Sequence, residues 1–349
     1  MKVAIRADAS TRMGSGHIRR CLALAQALRR HGATVTFVSR AWPGHQLHSL
    51  RREGFGVEEL PPPANPVLEQ AADAFATIDR LKYTHPDWLV VDHYELDATW
   101  ETALRPHVKR LMVIDDLANR PHDCDILLDQ TLTDTPGEVR YRGLLPAQCA
   151  TLFGPRFALL SEEYARYRRT ARPQLDNIQR VLVSMGGSDL DDATGLAVRA
   201  MSERDLAGLE LDVVVGANYP HRERLLGLAS TRGRTTVRGP LPSLTEAMAG
   251  AHLAVGAGGS TSWERLCFGL PAVLVSIADN QAPSCRGLHA AGLAFYAGDA
   301  AALTPGTLAA VIRDAVSRLE RLRRMSRDAW STVDGLGAPR VATRLLDAI

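Results

Sequence analysis

The chain has 349 residues, enough for about two domains of ordinary size, and its hydrophobic content of 46% and charged content of 23% are those of a globular protein. Its 41 basic and 39 acidic residues nearly balance, which argues against nucleic acid or a membrane surface as a partner. The five cysteines are odd in number and widely spaced, which argues against a disulfide framework or a cysteine zinc site. We expect no bound metal and no cofactor.

The N-terminus passes directly into an apolar strand pattern at residues 3–5, without the basic and apolar regions of a signal peptide. No apolar run reaches the roughly 18 residues of a membrane-spanning helix. These features predict a cytoplasmic protein with no stable membrane insertion. The sequence leaves the oligomeric state open, and a monomer is our working expectation.

In the first half of the chain, short β-branched runs alternate with amphipathic helical patterns. A strand is predicted at 3–7, followed by a helix at 18–30 with Gly32 at the position of a C-cap. The further strands predicted in this half are 35–38, 88–91, 111–114 and 126–128. Continuous apolar strands between helices are typical of a parallel sheet covered on both faces.

The alternation breaks after residue 161, where arginines and tyrosines replace aliphatic residues, and we predict a linker at 164–179. A second series follows, with predicted strands at 181–183, 211–215, 235–237, 253–255 and 272–276 and predicted helices at 244–249 and 263–268. The sequence therefore predicts an α/β fold of two Rossmann-like open parallel-sheet domains that face a cleft. The predicted domains are residues 1–163 and 180–330, and we expect a C-terminal helix within 331–349 to pack back on the first domain.

The turn after the first strand is rich in glycine and opens a helix, so Gly14 and Gly16 can place backbone N–H groups around an anion or a sugar. It is not a Walker A motif, because no Gly-Lys-Ser/Thr follows. It is not a complete dinucleotide fingerprint either, because Arg19 stands at the position of the third glycine. On its own this turn identifies no ligand, but both glycines are candidates for substrate binding.

His17 lies in the expected first turn of that helix, at the edge of the sheet where ligands bind. The positive end of the helix disfavours an imidazolium, so a neutral imidazole that acts as a general base is one interpretation. The alternative is a capping or hydrogen-bonding histidine. Asp92 and the pair Asp115 and Asp116 follow two further strands. They would orient a sugar or His17, or else cap helices and close turns.

Two glycine-rich turns follow strands in the second half. Gly186 and Gly187 follow the strand at 181–183, and the run 256–262 lies between the strand at 253–255 and a helix. Together they suit a diphosphate held by backbone N–H groups without a metal, although each alone is also typical of a tight turn. Glu264 can accept hydrogen bonds from ribose hydroxyls or can be a solvated helix residue. The candidate binding residues within the run are Gly258, Gly259, Ser260 and Ser262.

These motifs combine into a resemblance. The segments 6–10 (RADAS), 13–22 (MGSGHIRRCL) and 184–189 (SMGGSD) resemble the UDP-sugar hydrolases of pseudaminic acid biosynthesis. Further matches, which extend the resemblance over nearly the whole chain, lie at 91–94, 114–116, 124–128, 154–160 and 278–281. The run 258–264 is similar to the nucleotide-sugar site of the MurG-type glycosyltransferases, which share the two-domain GT-B architecture.

The resemblance implies a UDP-sugar substrate, in which water displaces UDP from UDP-2,4-diacetamido-2,4,6-trideoxy-β-L-altropyranose with inversion at the anomeric carbon. It implies that His17 activates the water and that Tyr94 lies in the active site. It also implies that Glu264 and Asn280 contact UDP. Asp8, which lies in the first matching segment, is a further catalytic candidate.

Three other functions fit part of the pattern. A glycosyltransferase would use the same donor site and would need an apolar, basic docking patch, which the stretches near Trp42 and Trp88 do not obviously form. A nicotinamide-dependent oxidoreductase needs an acidic residue at the end of the second strand, where Ser39 and Arg40 stand. A binding module would bind UDP without turnover. The basic run 313–327 is typical of a solvated amphipathic helix.

Overall fold

The computed structural model describes residues 1–62, 68–170, 175–187 and 189–348, without the side chains of residues 169 and 170. Residues 171–174 of the predicted linker, Ser188 of the 184–189 motif and Ile349 of the predicted C-terminal segment lie outside these ranges. No α-helix in the described part of the chain has the length and apolar character needed to cross a membrane.

The strands of the described residues follow one another in this order: β1 Lys2–Ala7, β2 Thr34–Arg40, β3 Gly56–Leu60, β4 Trp88–Asp92, β5 Arg110–Ile114, β6 Ile126–Asp129, β7 Ala150–Phe153, β8 Arg180–Ser184, β9 Glu210–Val214, β10 Thr235–Arg238, β11 Leu253–Ala257, β12 Ala272–Ser276 and β13 Phe295–Asp299.

The α-helices of the same residues are α1 Gly16–Arg30, α2 Leu47–Arg52, α3 Gln70–Leu81, α4 Ala98–Leu104, α5 Gly137–Arg140, α6 Glu162–Thr170, α7 Ala193–Met201, α8 Arg222–Arg232, α9 Thr245–Ala249, α10 Thr261–Cys267, α11 Ala282–Ala290, α12 Pro305–Ser317, α13 Leu319–Thr332 and α14 Gly337–Asp347. Short 3-10 turns lie at Arg105–His107, Pro155–Phe157, Asp279–Gln281 and Ala300–Ala302.

The first sheet is parallel throughout, with the strand order β3-β2-β1-β4-β5-β6-β7. Successive side chains of a strand point to opposite faces, and both faces of this sheet are buried. Ile5 and Trp88 belong to the cluster beneath α1 and α14, whereas Leu89 and Trp100 belong to the cluster on the other face. The four apolar residues at 88–91 of β4 are therefore what a sheet between two helical layers requires.

The second sheet is also parallel throughout, with the strand order β10-β9-β8-β11-β12-β13. Val183, Val255 and Val275 lie in its main apolar cluster, together with Ile312 of α12 and Met325 of α13. Each sheet begins with the order of a Rossmann fold, in which the third, second and first strands are followed by the fourth. The predicted α/β class with two Rossmann-like parallel sheets is confirmed.

The chain divides into two compact units. Unit 1 consists of Met1–Thr131, Thr135–Ser161 and Leu336–Ile349, and unit 2 consists of Leu132–Asp134 and Glu162–Gly335. Within unit 1, Trp88 Nε1 donates a hydrogen bond to the carbonyl of Leu345 in α14 at 3.0 Å. This bond and the apolar cluster beneath α1 hold the closing helix against the first sheet.

The structure differs from the predicted linker at its start, because α6 is a packed helix of unit 2. Arg168 donates hydrogen bonds to the carbonyls of Cys267 at 2.9 Å, Val333 at 3.0 Å and Trp330 at 2.5 Å. Its guanidinium carbon lies 3.6 Å from the centroid of the Trp330 ring, within the range of a cation–π contact. An arginine-rich segment that suggests a solvated connector is thus anchored through an arginine.

Three strands are missed by the sequence pattern, and all three lie at sheet edges: β3, β7 and β13. An edge strand has one neighbour and need not be apolar on both faces. β3 contains Glu58 and Glu59, and β13 ends with Gly298 and Asp299. Such strands lack the continuous apolar run that marks the central ones.

Candidate active site

The candidate residues cluster where the strand order of each sheet reverses. In unit 1 the reversal lies between β1 and β4, and in unit 2 between β8 and β11. Loops leaving adjacent carboxyl ends diverge at such a point, which makes it the usual ligand position of an open parallel sheet. These two points are flanked by β1, which Asp8 follows, by β4, which ends at Asp92, and by β8 and β11, which lead to Gly186 and Gly258.

His17 and Asp92 form a buried pair at the reversal in unit 1. The Nδ1 atom of His17 lies 2.5 Å from Asp92 Oδ1, and the exposed fractions of the two residues are 4% and 0%. An ionised carboxylate only accepts hydrogen bonds, so the proton of the neutral imidazole lies on Nδ1. The Nε2 atom then carries the lone pair, which is the state needed to accept a proton.

Arg20 completes this pair, and the sequence analysis assigned it no role. Its Nε and Nη2 atoms donate to Asp92 Oδ2 and Oδ1 at 2.6 and 2.7 Å, and its Nη1 atom donates to Asp116 Oδ2 at 2.9 Å. Burial alone would raise the pKa of Asp92, but the charge of Arg20 and the hydrogen bonds from Arg20 and His17 hold that pKa well below its ordinary range. The available signal was spacing, because Arg20 follows His17 by three residues on one helix face.

Tyr94 lies against His17. The two ring centroids are 4.5 Å apart with an interplanar angle of 79°, an edge-to-face contact. Burial, together with the charge of Asp116 and a hydrogen bond to it, raises the pKa of the Tyr94 phenol far above its ordinary value. Tyr94 is therefore a neutral hydroxyl that fixes the orientation of the imidazole ring.

Asp8 lies in a network of buried charges. It accepts hydrogen bonds from Arg6 Nη1 at 2.6 Å, the Arg40 backbone N–H at 2.7 Å and Trp42 Nε1 at 3.1 Å. Burial would raise its pKa, but Arg6 and His93 lower it far below the ordinary value. The carboxylate faces protein donors and stays ionised, and a catalytic role for Asp8 stays a prediction.

Asp73 of α3 holds the other side of that network. Arg6 Nη2 and Arg40 Nη2 donate to Asp73 Oδ2 at 2.8 and 2.5 Å, and Trp100 Nε1 donates to Asp73 Oδ1 at 3.0 Å. Burial opposes ionisation, yet the two guanidinium groups lower the pKa of Asp73. α3 is thereby tied to the end of β1. No sequence motif marked Asp73, because its partners are distant along the chain.

The glycines of the first turn take different positions. Gly14 has a φ of +78°, a conformation that glycine adopts without strain. Its N–H donates to the carbonyl of Ser10 at 2.8 Å, so this donor serves the turn itself rather than a ligand, contrary to expectation. Gly16 is the first residue of α1 and is partly exposed.

The turn after β8 leads to a helix whose first N–H groups are already bonded. Asp189 accepts from the N–H groups of Ala193 and Thr194 at 2.8 and 2.7 Å, and Asp192 accepts from Gly195 at 3.1 Å. These carboxylates occupy the start of α7, where an anion would otherwise bind. Any phosphate contact here must come from the turn itself, where Gly186 has a φ of +91° and Gly187 is exposed.

In the turn after β11, close packing requires a glycine at position 258. A Cβ atom on Gly258 would lie 2.1 Å from the Sγ atom of Cys285, and the Gly258 N–H donates to Val275 O at 3.1 Å. Gly258 is therefore a packing position, whereas Gly259 and Ser260 are partly exposed. The structure thus corrects the expectation that Gly258 donates to a ligand.

The side chain of Arg265 stabilises the same turn through hydrogen bonds. It is 2% exposed and donates through Nη2 to the carbonyl of Ala257 at 2.5 Å and to Ser262 Oγ at 3.1 Å. Burial lowers its pKa to about 10. Ser262 was expected to bind substrate, but it is buried and its hydroxyl accepts this bond.

Glu264 and Asn280 lie at the carboxyl edge of the second sheet. Glu264 is 8% exposed in the first turn of α10, so the alternative of a solvated helix residue is wrong. Asn280 lies in the 3-10 turn after β12 and is exposed. Within the described ranges, no group of three or more His, Cys, Asp or Glu side chains is arranged to hold a metal ion.

Comparisons with known proteins agree with this architecture. No protein-family model matches the chain. It is 27% identical over 228 residues to the UDP-2,4-diacetamido-2,4,6-trideoxy-beta-L-altropyranose hydrolase of Campylobacter jejuni, covering 64% of this chain and 73% of that protein. It is 22% identical over 348 residues to the spore coat polysaccharide biosynthesis protein SpsG of Bacillus subtilis, covering 99% and 98% of the two chains.

Among solved structures, MurG of Acinetobacter baumannii matches with a TM-score of 0.68 at 16% identity, covering 99% of each chain. This likeness confirms the predicted GT-B-like fold. The sequence comparisons support the resemblance found in the motifs at the level of a distant relationship. The chain is thus an α/β protein with two Rossmann-like parallel sheets, as in the GT-B glycosyltransferases.

The charge network predicts a pH-dependent effect of Asp73→Asn. At pH 7 we expect a loss of about 3–5 kcal/mol in the free energy of unfolding, because two buried guanidinium groups lose a carboxylate partner. Since the folded pKa of Asp73 is depressed, its contribution is present above the unfolded value of about 4 and is lost as the pH falls below it. Urea unfolding should show a smaller difference in the free energy of unfolding between Asp73→Asn and wild type at pH 3 than at pH 7.

The matched control is Asp79→Asn, an exposed position on the same helix. It should change stability little at either pH. A loss for Asp73→Asn that stays constant between the two pH values would contradict the ionised pairing described above.

The Gly258 turn predicts a coupled pair of substitutions. Gly258→Ala should destabilise the protein by about 1–3 kcal/mol through overpacking. In a Cys285→Ala background the cost should fall, because the next nearest atom to the added Cβ is Gln281 Cβ, at 3.5 Å. Urea unfolding of the four chains measures the coupling. The control is Gly227→Ala, where an added Cβ atom would meet no packing neighbour within 4 Å, and it should cost nothing in the free energy of unfolding. Equal costs of Gly258→Ala in both backgrounds would refute the packing argument.

Proposed function

We propose that this protein is a UDP-sugar hydrolase that releases UDP by attack of water at the anomeric carbon, with inversion. The observation that carries the proposal is the 2.5 Å contact between His17 Nδ1 and Asp92 Oδ1. It supplies a buried imidazole whose free nitrogen is held in one orientation. A positioned histidine of this kind is the usual general base for a water nucleophile.

The proposed reaction is a single displacement. The water oxygen forms a bond to the anomeric carbon while its proton passes to Nε2 of His17. The bond between the anomeric carbon and the phosphate oxygen breaks, and its electron pair leaves with UDP. Asp92 stabilises the imidazolium that forms, as a carboxylate on Nδ1 does in other histidine-based sites.

The proposal assigns the nucleotide to unit 2. The donors would be backbone N–H groups of the partly exposed or exposed glycine turns, at Gly186, Gly187, Gly259 and Ser260. Glu264 would accept from ribose hydroxyls and Asn280 would contact UDP, as the resemblance implies. Fixed N–H dipoles stabilise the charge that develops on a diphosphate leaving group, so this assignment needs no cofactor.

The sugar is proposed from the sequence comparisons. The Campylobacter jejuni protein is named as the hydrolase of UDP-2,4-diacetamido-2,4,6-trideoxy-beta-L-altropyranose, and we propose the same sugar, or a diacetamido relative of it, as substrate. The Bacillus subtilis protein is named for polysaccharide biosynthesis, which fits a sugar destined for a surface polymer.

A glycosyltransferase is the second candidate, and the fold favours it. MurG has the same two-domain architecture over 99% of each chain. A transferase would direct an acceptor hydroxyl, rather than water, at the anomeric carbon. The His17–Asp92 pair would serve either nucleophile, so the two candidates differ in what they do when no acceptor is present.

The deciding experiment is a reaction with EDTA present and UDP-linked diacetamido-trideoxy sugars as the only substrates. UDP release is followed over time, and the first anomer formed is identified by NMR. Release of UDP and the inverted free sugar supports the hydrolase. Binding without release contradicts the hydrolase and favours a transferase or a binding module.

His17→Gln should abolish turnover while leaving the affinity for UDP nearly unchanged, because the proposed nucleotide residues belong to unit 2. Initial rates and calorimetric titration with UDP measure the two effects. His31→Gln, an exposed position directly after α1, is the matched control and should behave as wild type. Full turnover by His17→Gln would remove His17 from the mechanism.

Asp92→Asn should lower kcat by about 10²- to 10⁴-fold. An amide can donate to Nδ1, which favours the tautomer with the proton on Nε2 and leaves no lone pair for the water. The UDP affinity and the circular dichroism spectrum report whether the variant is folded. A folded variant with wild-type kcat would show that Asp92 does not orient the base.

A further inference from the structure

The amino ends of β6 and β7 bring two cysteines together, at the end of the first sheet opposite to His17. Ile126 and Ala150 are partners in the parallel register of these strands. Cys124 precedes Ile126 by two residues and Cys149 directly precedes Ala150. Their Sγ atoms are 3.6 Å apart, and both carry free thiols. The two side chains therefore point toward each other across neighbouring strands.

The two thiols differ in their exposure to solvent. Cys124 is 1% exposed, whereas Cys149 is partly exposed beside the exposed residues Ala147 and Gln148. The other three cysteines, Cys21, Cys267 and Cys285, are buried. Cys149 is therefore the thiol of this chain that a dissolved reagent reaches first.

The local contacts also favour a thiolate at Cys149. The hydrogen bond between its Sγ atom and that of Cys124 lowers its thiol pKa, against the effect of burial, and a backbone hydrogen bond from Leu127 lowers it further. The same bond to Cys149 raises the pKa of Cys124, and burial adds to that rise. The thiolate is the reactive form of a cysteine. These pKa directions therefore favour Cys149 as the nucleophile of the pair and Cys124 as the second thiol.

Burial has the opposite effect on the remaining thiols. It raises the pKa of Cys267 to about 12 and that of Cys285 to about 11. It also raises the pKa of Cys21 well above the ordinary value. These three thiols combine low access with a low thiolate fraction, so they serve as internal references.

We propose that Cys124 and Cys149 form an oxidative modification site, at which a peroxide converts the two thiols into a reversible disulfide. The thiolate of Cys149 attacks one peroxide oxygen and the O–O bond breaks, which gives a sulfenic acid and a hydroxide that takes up the proton released by Cys149 and becomes the first water. The sulfur of Cys124 then attacks the Cys149 sulfur, the S–O bond breaks, and the hydroxide leaves as water with the proton of Cys124. In total, two thiols and one hydrogen peroxide yield one disulfide and two waters.

The cross-link would close the loop of residues 124–149, which contains β6 and its connection to β7. That segment carries Arg140, whose Nη1 donates to Asp129 Oδ2 at 2.6 Å and whose Nη2 donates to the carbonyl of Asp116 at 2.7 Å. A disulfide that closes a loop restricts the unfolded chain. The oxidised protein should therefore have a higher thermal unfolding midpoint than the reduced protein.

The experiment treats the folded full-length chain with hydrogen peroxide, blocks the remaining thiols with iodoacetamide and maps the tryptic peptides by mass spectrometry. Cleavage after Arg140 and Arg142 places the two cysteines on separate peptides, 111–140 and 143–156. We expect these peptides to be linked, with the mass of two hydrogens lost, and to separate on reduction. Peroxide treatment that consumes thiols without producing this linked pair would overturn the proposal.

Variants separate the two roles. In Cys124→Ala, Cys149 should pass on to the sulfinic acid, because no second thiol captures the sulfenic acid. In Cys149→Ser, residue 124 should stay reduced. Cys267→Ala is the matched control and should form the same linked pair as wild type. Oxidation of Cys124 at an undiminished rate in Cys149→Ser, or a Cys149 that stays a thiol under peroxide in Cys124→Ala, would refute the assignment.

The unsubstituted chain gives an independent test that needs no variant to fold. Limited alkylation of the folded, reduced protein should label Cys149 at least about tenfold faster than Cys267, given the difference in access and thiolate fraction. Equal rates for the two cysteines would contradict the proposed reactivity of Cys149.

Discussion

A buried carboxylate must meet a positive charge, and this constraint shapes the carboxyl edge of the first sheet. The penalty for burying an unpaired ion is several kcal/mol, comparable to the whole stability of a domain at about 5–15 kcal/mol. Asp8, Asp73 and Asp92 are each 1% exposed or less, and each meets a guanidinium group. Arg6 pairs with the first two and Arg20 pairs with the third, so these ion pairs connect α3 to β1 and α1 to β4.

The same constraint prepares the chemistry at His17. Arg20 donates to both oxygens of Asp92, and the imidazole of His17 shares Oδ1 with it. Stability and proposed function therefore depend on one carboxylate. Unit 2 follows a different rule, because its turn after β11 is formed by close packing of Gly258 against Cys285 and by the bond from Arg265 to Ala257. Side-chain packing against Gly258 and a hydrogen bond from a buried guanidinium to a backbone carbonyl set the shape of that turn.

Local sequence patterns predicted much of the fold. The central strands β4, β8 and β11 are continuous apolar runs because helices cover both faces, and each was predicted within two residues of its observed bounds. The edge strands β3 and β13 were missed because an edge position does not impose that pattern. Most of α6 falls within the predicted linker. Its local sequence does not reveal its packing, because the carbonyls that bind Arg168 belong to residues 267, 330 and 333, which are distant along the chain.

The sequence by itself determined two parallel α/β sheets, a histidine at the first turn of α1 and glycine turns after β8 and β11, because these depend on periodicity and on motifs of adjacent residues. The tertiary structure alone decided that Asp92 holds His17, that Asp8 serves a charge network and that Gly258 is required for packing. The partners in these contacts are separated by 75 residues for Asp92 and His17, and by 67 for Arg6 and Asp73. Local patterns carry no information about such pairs, since only the strand order brings them into contact.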